Sequence, residues 1–266
     1  MMKRPLLTLL LVGLASLLPA QTGRERPITR STMYGAGVVN LYDTYLSPLE
    51  YKGEQVRVLR ESVRPMPWCD GRVSRQTLFQ GHLAMADNPA ETSSELAGMV
   101  NWNYALHHNF SLLDGRLRLG AGPMVQLHGG FLYNTRGGNN PAQARLYANL
   151  AASGIAHYEV PLKRCPLVLR YQLDVPFLGV MFSPTYGQSY YEIFSLGHTD
   201  GTIHFTSLHN QPTLRHWLTA DMKFHNFTLR LGYMADMQQS RVGGLRTHDY
   251  SHSFMVGLVK TLLPVK

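Results

Sequence analysis

Two places in the sequence set a serine close to an imidazole: Ser207-Leu208-His209, and Ser251-His252 within THDYSHSF. A serine whose proton passes to a neighbouring histidine can attack an ester, which is the chemistry of lipid hydrolysis. Residues two apart on a strand point the same way, so a His-x-Ser pair on one strand would join base and nucleophile. The sequence contains no His-x-Ser. Ser207 precedes His209 in reverse order, and alternation places Ser251 and His252 on opposite faces. These four are the candidate catalytic residues of an outer-membrane lipid-modifying hydrolase, which is the alternative reading. The leading reading is non-enzymatic.

Twelve histidines also raise metal binding. His198, His204 and His209 are the closest-spaced group, but no cysteine and no carboxylate other than Asp200 lies near them, short of the ligand sets that metal sites favour. No metal or other cofactor is expected. The glycines of GAG at 120–122 and GG at 129–130 sit inside one alternating run with no helix after them, so they are not phosphate loops. The two cysteines, Cys69 and Cys165, are too few for a metal site or a disulfide framework. Their turns fall four strands apart in the arrangement developed below, too far for a bond unless residues 64–71 cross beneath the fold.

The elements that must position these side chains are strands. Period-two alternation recurs at 32–43, 54–64, 72–86, 94–107, 116–133, 142–160, 167–181, 213–224, 227–238 and 249–260. Residues 116–133 put Leu117, Leu119, Val125, Leu127, Phe131 and Tyr133 on one face, and Arg118, Gln126 and His128 on the other. Many runs exceed the 5–6 residues usual for a globular strand and meet the ~9–11 of a tilted membrane strand. The chain opens MMKRPLLTLLLVGLASLLPAQT, a charged start, an apolar stretch and a small-residue cut after Ala20. This reads as a secretory signal peptide over 1–20, with one domain over 21–266. Export argues against a nucleic-acid partner for a chain of charge +8; an exported basic chain meets anionic lipid headgroups, lipopolysaccharide among them. The fold class expected is an all-β, antiparallel transmembrane β-barrel.

In such a barrel the polar face lines the lumen. That face holds Arg116, Arg118, Arg145, Arg170, Arg215 and Arg230, with Glu95, Glu159, Asp174, Asp221 and Asp236. In a narrow ring these charges pair into a filled interior. The other outcome is a water path biased toward anions, with a small solute as the partner. Tyr42, Tyr45, Tyr51, Tyr133, Tyr158 and Phe227 lie near strand ends, where interface girdles form.

Short connections at 109–115, 161–166 and 225–226 alternate with longer ones at 44–53, 134–143, 182–212 and 240–248. That rhythm places both termini in the periplasm. Segment 182–212 decides the strand count. One long loop with a helical turn at 189–195 makes ten strands; two short strands there make twelve. Ten is preferred, because the alternation at 203–208 is short.

SPTYGQSYYEIFSLGHTDG, followed by LTADMKF, LRLGYMAD and SHSFMVG, resembles the C-terminal half of an uncharacterised family of Bacteroidetes outer-membrane proteins, carried as a domain of unknown function. YGAGVVNLYDTYLSPLEYKG resembles that family's opening, and the likeness runs over residues 31–260. The resemblance implies an outer-membrane β-barrel in a Gram-negative cell, and no activity. The functional expectation is a barrel of structural, loop-presenting or small-solute type. A second alternative is a soluble periplasmic barrel with an apolar ligand inside.

Overall fold

Each of the ten long alternating runs is a strand. The computed structural model describes residues 27–138, 140–162 and 166–262. The expected signal peptide and Cys165 lie outside the described residues. The strands are β1 (Ile28–Asp43), β2 (Ser47–Pro65), β3 (Val73–Asp87), β4 (Ser94–Leu112), β5 (Leu117–Asn134), β6 (Ala142–Val160), β7 (Leu167–Phe182), β8 (Ile203–Ser207), β9 (Leu214–Lys223), β10 (Thr228–Val242) and β11 (Leu245–Leu262). Two short helical turns join them, α1 (Trp68–Gly71) after β2 and α2 (Tyr190–Phe194) after β7.

Consecutive strands pair antiparallel except β8 and β9, and β1 pairs with β11 from Ile28↔Leu262 to Asp43↔Thr247. The ring is therefore closed, except along the outer edge of β8, which pairs with β7 alone. β7 pairs with β9 over Leu167–Asp174 and with β8 over Leu178–Phe182. β8 and β9 thus form one line of wall, interrupted at 208–213. The interruption is tied to β10, through Arg241 N–H to Asn210 O at 2.7 Å and Gln239 Nε2 to Pro212 O at 2.9 Å. The ring has ten members, and β8 is an extra piece of the eighth. The reading of 203–208 as loop is corrected. Five residues are too few to signal a strand alone, and the open upper edge of β7 supplies the pairing.

The polarity is inside-out. On β5, Val125, Leu127, Phe131 and Tyr133 are exposed on the outer wall, while Met124, Gln126 and Leu132 are buried inward. Charged and amide groups dominate the interior, including Arg57, Glu61, Gln80, Arg170 and Asp174. A water-soluble barrel carrying an apolar ligand needs the reverse pattern, so that alternative is set aside. Most strands run 15–19 residues. Sixteen residues at about 3.3 Å, tilted about 40°, rise about 40 Å, against an apolar band of about 25 Å. The strands therefore outreach the band at both ends.

Three details depart from the alternation. β7 carries a bulge opposite Leu150/Ala151. Phe177 and Leu178 both face outward there, and Met181 points inward. The loops expected at 44–53 and 240–248 shrink to Thr44–Leu46 and to Gly243–Gly244, because β2 and β11 begin earlier, and β10 ends later, than their clear alternation. Gly243 and Gly244 have φ of 59° and 77°, the left-handed pair that a two-residue hairpin requires. No helix among the described residues is long and apolar enough to cross a membrane.

Candidate functional site

The lumen is the site where the sequence concentrates its charge. β2 and β7 stand five positions apart on the ten-membered ring, so they face each other across it. Glu61 of β2 nevertheless meets Arg170 of β7 at 2.7 Å. It also meets Arg230 of β10 at 2.7 Å and accepts from Gln76 at 2.7 Å. Arg230 is held in turn by Asp221, at 2.6 Å. The Arg170 guanidinium lies 4.4 Å from the ring of the buried Trp217. β1 and β6 are also opposite, and Arg145 reaches Asp43 at 3.1 Å. Two levels of the lumen are thus crossed directly by ion pairs. Between them Arg57 contacts Gln80 at 3.0 Å, Ser251 at 2.9 Å and Asp236 at 3.6 Å.

A polar chain crosses four other strands. His107 Nε2 lies 2.9 Å from Ser153 Oγ, Ser153 donates to Asp174 at 2.5 Å, and Asp174 pairs with Arg215 at 2.7 Å. β5 lies between His107 and Ser153, and the residue facing both is Gly122. A Cβ there would sit 1.9 Å from Leu106 O. The serine stands between base and acid, so the acid cannot orient the histidine as a nucleophile's base. All three are buried. The chain is an internal network, with no room for a substrate.

The pocket lined by Leu41, Met99, Arg145, Tyr147, Gln238 and Asp249 has a volume of about 20 Å³, room for roughly one water. On the β4–β6 side, buried Asn101, Asn103 and Asn149 have no hydrogen-bond partner among the described residues. Buried amides are ordinarily paired, so ordered water belongs there.

Residues 183–202 cover the rim far from the termini. Tyr186 N–H donates to Gly243 O at 2.9 Å, and Tyr45 OH donates to Gln188 O at 3.0 Å. Tyr190 donates to Gln143 at 2.8 Å, accepts from Ala144 N–H at 2.6 Å and stacks on Phe194. The segment therefore touches β6, the β1–β2 turn and the β10–β11 turn. α2 starts with a capping box, Ser189 and Glu192 exchanging hydrogen bonds with each other's backbone. The Ser189 N–H holds the Glu192 carboxylate below its usual 4.5. Burial pushes the Tyr190 phenol up to about 12 and also raises Tyr45.

The expected site residues separate clearly. Arg145, Arg170, Asp174, Arg215, Arg230 and Asp236 are buried in the lumen. Asp221 and Glu95 join it nearer the rims. Arg118 and Glu159 pair at 2.9 Å with half of each side chain exposed, at the rim beside the termini. Arg116 is corrected: it follows the turn at 113–115, outside β5, and is exposed. Tyr51 is corrected from the girdle to the interior, where it accepts from Asn134 at 2.9 Å. Tyr45 belongs to the cap. Arg57, Glu61, His82 and Asp249 were missed. The alternation of β2 and β3 is diluted by polar residues on both faces, though an Arg and a Glu four apart on one face was a usable signal.

Among the catalytic candidates, Ser207 Oγ and His209 Nδ1 meet at 2.5 Å on the surface. Ser251 is buried against Arg57, while His252 faces outward to the Tyr233 hydroxyl at 2.7 Å. The strand separates them, as alternation requires. No cluster of three metal-ligating side chains occurs among the described residues.

Several solved barrels share the overall shape at low similarity. The translocator domain of the autotransporter NalP from Neisseria meningitidis is 10% identical, over 95% of this chain and 94% of that one, with a TM-score of 0.39. The transport unit of the autotransporter AIDA-I from Escherichia coli is 7% identical, over 94% and 96%, with a TM-score of 0.45. The COG4313 outer membrane channel from Pseudomonas putida F1 is 11% identical, over 92% and 100%, with a TM-score of 0.38. No curated protein matches the sequence. Residues 5–266 match the family described as "Protein of unknown function (DUF3316)", and the chain belongs to that family.

Proposed function

We propose that this protein is a non-conducting outer-membrane barrel that works through its capped outer surface. The observation carrying this is the pair of ion bridges across the lumen, Glu61–Arg170 and Asp43–Arg145. An open pore keeps its charged walls apart. Here they meet, and residues 183–202 cover one rim. The outward apolar wall supports an outer-membrane location, in contact with phospholipid and lipopolysaccharide. The described ends of the ring, Ile28 of β1 and Leu262 of β11, lie together at one rim, and the long 183–202 connection lies at the other. That supports periplasmic termini and an external cap. The cap exposes Tyr186, Tyr191 and Phe194. Purified protein in a planar bilayer is expected to give no stable conductance steps. Steps with ion selectivity would overturn the reading.

The Ser207–His209 contact favours a second reading, lipid hydrolysis at the outer surface. It is the weaker one, because no carboxylate among the described residues orients His209. Ser207→Ala should abolish any phospholipid release by the purified protein. Release that survives in this variant removes the second reading.

A further inference from the structure

We propose that the outer wall over β11, β1, β2 and β3 holds an anionic phospholipid by its headgroup. Five cations lie there in one stripe. Lys260 is directly opposite Arg30. Arg30 is opposite Ser62, so Arg60 and Arg64 flank its partner on β2. Arg64 is directly opposite Arg75. By alternation all five share the outward face with Tyr34, Val58, Phe79 and Leu258, each of which is exposed. None of the five forms an ion pair with a carboxylate among the described residues.

This arrangement is unfavourable by itself. Like charges directly opposite on paired strands repel, and a cation on a lipid-facing wall is costly except near the interface. Most of the wall is free of charge: the outward faces of β4, β5, β6, β7 and β9 carry no Asp, Glu, Lys or Arg, and the other outward charges, among them Glu50, Lys52, Glu54, Arg241 and Arg246, lie toward the far rim. The stripe is therefore confined to one sector. Its depth matches headgroups, since Arg30 lies two residues inside the start of β1 and Lys260 two residues inside the end of β11. An open groove of about 780 Å³ is lined there by Arg30, Arg60, Lys260, Tyr34, Leu229 and Leu258. Guanidinium groups bind phosphate oxygens in a planar fork, and the apolar residues beside them suit an acyl chain. An anion with a greasy tail satisfies both halves of the groove. The proposal rests on the barrel reading above and adds the lipid class it selects.

The test is the thermal midpoint of the protein folded into vesicles of phosphatidylethanolamine, with or without phosphatidylglycerol. The anionic lipid should raise the midpoint by about 5 °C, and 0.5 M salt (about a 4 Å screening length) should remove most of the rise. Arg30→Gln/Arg60→Gln/Lys260→Gln should lose the rise, with a midpoint in phosphatidylethanolamine alone no lower than that of the wild type, because it relieves the repulsion between Arg30 and Lys260. Should this variant not fold, the wild-type comparison decides by itself. Equal wild-type midpoints in the two vesicles would overturn the proposal. So would an equal rise from inorganic phosphate, which would make the stripe a site for free anions. Wild type that enters neither vesicle would instead bring down the barrel reading.

Discussion

Replacing Glu61 by Gln tests whether the bridged level of the lumen excludes bulk water. Glu61 is 2% exposed and is shared by Arg170 and Arg230. The variant keeps the shape and removes the charge. Arg230 retains Asp221, at 2.6 Å, but Arg170 loses the one carboxylate it meets. An uncompensated buried charge of this kind costs about 3–5 kcal/mol. Urea titration of the vesicle-folded protein should therefore show a loss of that size. Tryptophan fluorescence is a suitable readout, because Trp217 lies 4.4 Å from the Arg170 guanidinium. Adding Arg170→Gln removes the orphaned charge and should recover more than half of the loss. A cost for Glu61→Gln below about 1 kcal/mol, the value of a solvated ion pair, would refute the reasoning. The lumen would then be wet, and the non-conducting reading would fall with it.

The cap should loosen in acid. Glu192 is held below its usual 4.5 by Ser189, so its capping contribution is fully present above pH 4.5 and is lost as pH falls through the lowered value. Protease cleavage within 183–202 should rise over that range, and Glu192→Gln should flatten the dependence. Trp217→Ala empties a fully buried site beneath Arg170 and should cost about 3–5 kcal/mol, read by urea titration followed by circular dichroism. Orientation is open to a cysteine test. Cys69 is exposed in the α1 turn, at the rim of the termini. In a Cys165→Ser background, a membrane-impermeant maleimide should label it only after the outer membrane is permeabilised. Labelling in intact cells would invert the barrel.

The ten long strands and their face polarity were legible in the sequence, because one face meets lipid and period-two alternation records that directly; ten is preferred there over twelve, and β8 reads as loop. The candidate site was legible in part. Arg145, Arg170 and Asp174 stand alone as charges on clean alternating runs, whereas Arg57 and Glu61 are masked by the outward Arg60 and Glu54 on the same strand. The stripe of Arg30, Arg60, Arg64, Arg75 and Lys260 could not be assembled without register, since its members come from four strands that include both ends of the ring.

The sequence by itself determined a barrel with its apolar side outward, because alternation is a local property of each strand. Only the tertiary structure decided that the lumen is bridged. Glu61 and Arg170 are 109 residues apart in the chain, and their 2.7 Å contact depends on ring closure and on which strands face each other. The cap over the far rim was likewise decided by the fold. Its helical turn at 189–195 is a local capping signal, but its destination on Tyr45, Gln143 and Gly243 is set by three hairpins that only closure brings around one mouth.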